Sequence, residues 1–198
     1  MPPRHPPPPN HPRGNNLLRI IGGEWRSRRL PFADVPGLRP TPDRVRETLF
    51  NWLQGRTPGS RCLDLFAGSG ALGFEALSRG AQEVVMVEKH PAAAAALRAN
   101  IALLGAQHVT LVHDDAFRYL QRETAAFDLI FLDPPFRQNL LEPVLENLFS
   151  RLLLKPGGMV YLEQESGADT GFARFGLETH RVTQAGQAQG FLLFVNNQ

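Results

Sequence analysis

A chain of 198 residues, 42% of them hydrophobic, can build one sizeable core and is too short for two full domains with linkers. No run approaches the roughly 18 apolar residues of a membrane helix, and the Pro/Arg/His start lacks the apolar centre of a secretory signal, so a soluble cytoplasmic protein is expected. The formal net charge of +2 hides a split: residues 1–61 hold eleven arginines against four acidic side chains, a net +7, and the remainder carries −5. A basic arm on an acidic body suits a polyanion, because neutralising phosphates releases their counterions.

In chain order, Met1 to Arg13 contains seven prolines and no apolar side chain beyond Met1, which predicts a disordered tail. Order is expected from Leu17, where Leu17–Ile21 reads as a short strand closed by Gly22-Gly23, followed by a cationic turn with Trp25, Arg26, Arg28 and Arg29. Thr41 as N-cap and Pro42 at the first helical position predict a helix to about Leu53. Its apolar face is Val45, Leu49, Trp52 and Leu53, and its solvated stripe Arg44, Glu47, Thr48 and Asn51. From Arg61 short apolar runs alternate with helical segments, the signature of a parallel sheet. Strands are expected at 61–66, 84–88, 109–113, 127–132 and 158–163, and helices at 71–79, 91–104, 115–122 and 139–153. Runs 177–183 and 190–195 form a terminal hairpin. The expectation is an α/β, Rossmann-like sheet of seven strands, mostly parallel with an antiparallel last strand. The segments are a tail (1–16), a basic extension (17–56) and a catalytic domain (57–198).

Asp64 to Gly73 satisfies G-x-G-x-x-G (Gly68, Gly70, Gly73) at a strand-to-helix turn, where glycines admit a ligand to the backbone. The loop alone fits a dinucleotide as well as a methyl donor. Asp64, Glu88 and Asp115 follow three strands at their carboxyl ends, where open α/β sheets bind ligands, and they tilt the reading toward the donor. Asp133-Pro134-Pro135-Phe136 directly after the fourth strand is more decisive. Two prolines fix the backbone so that the carboxylate and the Pro134 carbonyl accept hydrogen bonds from one planar amino group, while Phe136 stacks on the base. An exocyclic amine is a poor nucleophile; two acceptors favour its pyramidal form, and no strong base is needed before attack.

These elements resemble the class I methyltransferases, and Asp-Pro-Pro-Phe their amino-methylating branch. The arm, Arg19 to Phe32 and Leu38 to Trp52, is similar to the RsmD family, which methylates N2 of one guanine of 16S ribosomal RNA, guanine 966 in conventional rRNA numbering. The resemblance covers nearly everything from Leu17 onward. It implies that S-adenosylmethionine lies against Asp64, Phe66, Ala67, Gly68, Ser69, Gly70 and Gly73, with its ribose at Glu88 and Lys89. It places the adenine at Asp115 and the Ala116 N–H. Asp133, Pro134 and Phe136 would be the catalytic residues, Asp133 also bordering the donor, with Pro135 and Phe136 on a flipped guanine. Arg26, Arg28 and Arg29 would hold phosphates, and Arg44 and Asn51 would close one side of the pocket. The implied partner is the small subunit or its assembly intermediate, bound by a monomer. Rival readings are an adenine-N6 nucleic-acid methyltransferase, a protein-glutamine methyltransferase, which would more often carry Asn at position 133, and a non-catalytic RNA-binding assembly factor. His90, His108, His113 and His180 lack metal-ligand spacing, so no metal is expected, and the single Cys62 reads as a buried core residue.

Overall fold

The computed structural model describes residues 16–136, 138–169 and 171–195. The expected tail lies outside them except for Asn16. An antiparallel hairpin of β1 (Leu17–Arg19) and β2 (Arg29–Pro31) leads into α1 (Asp43–Trp52). Alternation follows: β3 (Arg61–Asp64), α2 (Ala71–Ser78), β4 (Glu83–Val87), α3 (Pro91–Leu104), β5 (Val109–Val112), α4 (Ala116–Arg122), β6 (Phe127–Leu132), α5 (Leu141–Ser150) and β7 (Leu154–Glu165). A 3-10 turn at Phe172–Phe175 precedes the hairpin β8 (Leu177–Ala185) and β9 (Ala188–Val195). The seven-stranded sheet has the order β5-β4-β3-β6-β7-β9-β8, with β9 antiparallel to both neighbours. The last strand is thus antiparallel as expected, and it lies inside the sheet with β8 at the edge.

Alternating side chains divide the core between two faces, as the two-residue period of a strand requires. Cys62, Met86, Leu129, Phe131, Met159 and Tyr161 pack with α1, α2 and α3, whereas Leu63, Val85, Ile130, Leu132 and Val160 pack with α4 and α5. The helix α1 therefore contributes to the main core. Leu49, Phe50 and Leu53 are buried in the same cluster as Phe131, Tyr161 and Leu192, each contributing roughly 1.5–3 kcal/mol.

Three expectations need correction. The first helix is capped by Pro42 with no side-chain cap hydrogen bond, one residue later than expected, and the buried Thr41 turns its hydroxyl elsewhere. The turn expected at Lys155–Gly158 falls within β7 as a bulge: Leu154 pairs with Phe127 and Met159 with Leu129, so the intervening residues loop out of register. Finally, α5 is shorter than the 139–153 expected, running from Leu141 to Ser150. Leu152 beyond it takes a positive φ of 55°, which ends the helical path.

Candidate active site

Order β4-β3-β6-β7 reverses direction of growth between β3 and β6, and at that switch point an open α/β sheet leaves a crevice at its carboxyl edge. Four carboxylates line this edge in spatial order: Asp115 after β5, Glu88 after β4, Asp64 ending β3 and Asp133 after β6.

Asp64 is 3% exposed and its Oδ2 accepts the Gly73 N–H at 2.9 Å. Burial pushes its carboxyl up to about 7, the Gly73 hydrogen bond pulling down and the Glu88 charge pushing further up. Among the described residues no cation pairs with it, so the group lacks the counter-charge that would offset its desolvation. Glu88 receives the Gly68 N–H on Oε2 at 2.8 Å and the His90 N–H on Oε1 at 2.6 Å, which fixes the carboxylate while each oxygen keeps a lone pair. Asp115 caps α4 by accepting the Phe117 N–H at 2.9 Å, and Ala116 opens that helix, where first-turn amides have no intrahelical partner.

The glycines differ in what they serve. At Gly70 a Cβ would stand 2.5 Å from the Phe74 ring, and at Gly73 it would meet Met86 Cε at 2.5 Å, so both are required for packing of α2 against the sheet. Gly68, at φ 53°, is the one whose missing side chain would meet only ordinary contacts, with Leu38 at 3.7 Å. Ala67 and Ser69 are buried, Phe66 is half-buried and Lys89 is exposed.

Asp133 is half-buried, Pro134 buried, Pro135 exposed, and the Phe136 ring 40% exposed. Loss of solvent first, then the charges of Glu163 and Asp64, holds the Asp133 carboxyl well above the usual range. Thr41 Oγ1 donates to Asp133 Oδ2 at 3.5 Å, and Tyr161 donates its phenol to Glu163 Oε1 at 2.8 Å. The parallel register pairs Leu132 with Leu162, so Asp133 and Glu163 extend adjacent strands side by side. Glu163, 6% exposed, is also raised, chiefly by burial. Thr41, Tyr161 and Glu163 were absent from the site expected on sequence. Glu163 could have been found as the acid closing the predicted strand 158–163 beside the Asp-Pro-Pro strand; Thr41 could not, because its helix-cap chemistry was the simpler account.

The cationic arm is held on α2 by a buried carboxylate. Glu75, fully buried, accepts the N–H groups of Ile21 and Gly22 at 2.9 Å each, and ion-pairs with Arg79 at 2.7 Å and Arg46 at 3.4 Å. Ser78 accepts the Trp25 N–H at 2.9 Å and donates to the Gly22 carbonyl. Gly23 has no substitute, since a Cβ there would fall 1.8 Å from the Ser78 carbonyl oxygen. Among the described residues, three arginines of the basic half are committed to ion pairs: Arg19 with Asp43, Arg46 with Asp43 and Glu75, and Arg61 with Glu83 and Glu123. Arg26, Arg28 and Arg29 are exposed, Arg28 reaching the Leu103 carbonyl at 3.3 Å. Arg44 and Asn51 are exposed on the outer face of α1. A cleft of about 270 Å³ between the hairpin and the start of α1, bordered by Phe32, Pro40 and Thr41, opens beside this arm.

Cys62 is buried, its thiol pushed up to about 12 by burial, and it is inert at neutral pH. His90 accepts the Ala92 N–H and caps α3, with Pro91 at the first turn. No helix of the described residues is long and apolar enough to cross a membrane.

A family model described as conserved hypothetical protein 95 matches residues 18–193. The chain is 45% identical over 181 residues to the ribosomal RNA small subunit methyltransferase D of Escherichia coli, covering 90% of each. Its counterpart of the same name in Haemophilus influenzae is 43% identical over 158 residues, 78% of this chain and 82% of that one. The solved structure of the Escherichia coli protein yhhF superposes with a TM-score of 0.82 at 41% identity, covering 92% of this chain and 99% of that chain.

Proposed function

The chain belongs to the RsmD family of small-subunit ribosomal RNA methyltransferases, and from that premise we propose that it transfers a methyl group from S-adenosylmethionine to the exocyclic N2 of guanine in 16S ribosomal RNA, at the family's guanine 966. Its fold is that of the class I methyltransferases. The observation that carries the proposal is Asp133-Pro134-Pro135-Phe136 at the carboxyl end of β6, on the switch point beside Asp64, with an exposed aromatic ring three residues after the carboxylate.

S-adenosylmethionine, when bound, supplies a methyl group on a sulfonium sulfur. The residues present fit it. Asp64, buried without a cation, takes the ammonium of the amino-acid part, beside Phe66, Ala67, Gly68 and Ser69. Gly70 and Gly73 act one step removed, by seating α2 so that the loop holds its path. The fixed Glu88 carboxylate accepts the ribose hydroxyls, with Lys89 at the rim, while Asp115 and the Ala116 N–H take the adenine edge.

Asp133 and the Pro134 carbonyl accept the two hydrogens of the guanine amino group and hold its lone pair toward the methyl carbon, and Phe136 stacks on the base with Pro135 beneath. A base in structured RNA must leave its stack to reach this crevice. Arg26, Arg28 and Arg29 bind phosphates from the docked arm, and Arg44 with Asn51 borders the approach along α1. We take the substrate to be the small subunit or an assembly intermediate, and the enzyme to act on it as a cytoplasmic monomer.

The test is transfer of labelled methyl to small subunits from cells lacking this protein, followed by nucleoside analysis. Wild type forms N2-methylguanosine; Asp133→Ala lowers the rate about 10²–10³-fold while still binding donor. N6-methyladenosine as product overturns the guanine assignment, and donor binding without any transfer by wild type overturns the enzyme reading in favour of an assembly factor.

A further inference from the structure

The cleft between the hairpin and the start of α1 takes no part in the transfer chemistry, but it shares a wall with the target-base side. Its apolar lining is Phe32, Pro40 and Pro42, and its polar lining Thr41, Asp43 and Arg46. Thr41 is the shared wall, because it lines the cleft while its hydroxyl donates to Asp133 Oδ2 at 3.5 Å. Its backbone is fixed in turn, the Thr41 carbonyl accepting Arg46 Nε at 3.0 Å. The two spaces stand one residue apart, a separation that a single nucleotide step can straddle.

The lining is held in place from several segments. Phe32 is half-buried against the core, its N–H donating to the Asn16 carbonyl at 3.0 Å, and the Pro31 carbonyl before it accepts Asn100 Nδ2 at 2.8 Å. A fixed aromatic ring lining a cleft is a stacking platform, since every base has a π-face. At the polar end, Asp43 Oδ2 accepts Arg19 Nε at 3.0 Å and Nη2 at 2.8 Å, and its Oδ1 accepts Arg46 Nη2. A carboxylate has about four lone-pair sites, so among the described residues these donors leave one on Oδ1 for an amino or imino hydrogen of a base. The two guanidinium groups also offset the charge of Asp43 where a polyanion approaches. Arg39 and Arg44, both exposed, adjoin Pro40 and Asp43 in the chain and bring cations for phosphates to the rim. A volume of about 270 Å³ falls just below the roughly 300–1,000 Å³ of small-ligand pockets and suits one nucleobase rather than a larger ligand.

We propose that this cleft is a second nucleobase site, which takes the base next to the target guanine in the RNA strand, stacked on Phe32 and hydrogen-bonded to Asp43, with its phosphate on Arg39. Flipping the guanine deprives its neighbour of a stacking partner, and the cleft returns an aromatic surface to that neighbour and keeps the strand in its opened path. No bond is made or broken there. The site acts on register: a guanine reaches Asp133 only when the base one step away is seated behind Thr41.

The inference rests on the methyltransferase reading, so wild type is assayed first on small subunits from cells lacking this protein: no N2-methylguanosine would sink that reading, and the second site with it. Given an active wild type, Phe32→Leu keeps the apolar bulk of the wall and removes the ring. It raises KM for subunits about tenfold, the loss of one stacked base, with kcat and donor affinity within about twofold. Arg39→Ala lowers the salt dependence of subunit binding by about one counterion. A direct readout comes from p-benzoylphenylalanine placed at position 32 of the full chain and irradiated on the subunit, with the linked nucleotide mapped by primer extension. The expected crosslink is to the nucleotide immediately before or after the methylated guanine. A crosslink to a distant nucleotide, to a ribosomal protein, to the chain's own residues or to nothing overturns the proposal, and decides the matter should Phe32→Leu fail to fold. An unchanged KM in a folded Phe32→Leu overturns it as well.

Discussion

The proposed donor side and the proposed target-base side of the carboxyl edge are built over different distances. On the proposed donor side the carboxylates are held over short stretches of chain: Asp64 by Gly73 nine residues on, Asp115 by Phe117 two residues on, and Glu88 by His90 two residues on and by Gly68 twenty residues before. On the base side Thr41 reaches Asp133 across 92 residues, and Glu163 joins from a third segment. A site built locally keeps its geometry as long as its unit folds. A site assembled from three segments also depends on how the extension docks, and the docking runs through the buried acid Glu75 together with Ser78.

The largest expected effect separates the two sides through that acid. Glu75→Ala leaves Arg46, 1% exposed, without its buried partner, and removes the acceptor of two backbone N–H groups. Breaking such a buried arrangement costs about 3–5 kcal/mol, read as a lower denaturant midpoint. In the protein that remains folded, methyl transfer falls more than donor affinity; equal losses would show that the extension does not shape the base side.

Next in size is a pH effect confined to the donor side. Asp64 must be ionised to pair with an ammonium, and without donor its carboxyl sits near 7. Donor affinity therefore rises about tenfold per pH unit up to about pH 7 and is flat above it. The sign for folding is opposite: a carboxyl raised from its ordinary value makes the donor-free protein lose stability as pH rises from about 4 to about 7. Calorimetric titration of the donor from pH 5.5 to 8 checks both this slope and its absence in Asp64→Asn.

The smallest effects belong to the arm. Replacing Arg26, Arg28 and Arg29 one at a time with Ala should reduce the salt dependence of RNA binding by about one counterion each. Donor affinity and the Asp64 pH slope stay unchanged. A change in either would tie the arm to the donor side, against the division drawn above.

Sequence patterning was sufficient wherever the determining interactions were local. The run Phe127–Leu132 and the helix Pro91–Leu104 have the bounds their composition predicts, because a β-rich apolar run and a Pro-started, Gly-ended alanine helix each carry their own start and stop signals. The alternation of strands and helices gave the parallel sheet, and the acids at strand ends gave the edge they line. Asp133 to Phe136 was legible for the same reason: two prolines dictate a turn whatever surrounds it.

What remained hidden depended on partners far away in the chain. Glu75 stands in the apolar helix segment Ala71–Ser78, and nothing near it indicates that Ile21, Gly22 and Arg46 will satisfy its charge. Arg46 reads as one more cation of a basic arm, but a buried charge needs a paired acid, and the tertiary structure supplies Glu75 and Asp43. Thr41 reads as a helix cap because capping is the local use of its hydroxyl; packing of α1 over β7 and β9 gives that hydroxyl to Asp133 instead. The sequence by itself determined the sheet, the acid-lined carboxyl edge and the Asp-Pro-Pro-Phe turn, since short-range backbone preferences and periodic burial decide those. Only the tertiary structure decided which buried charges pair and which hydroxyl faces Asp133, since desolvated groups take their partners from whichever segment the core brings beside them.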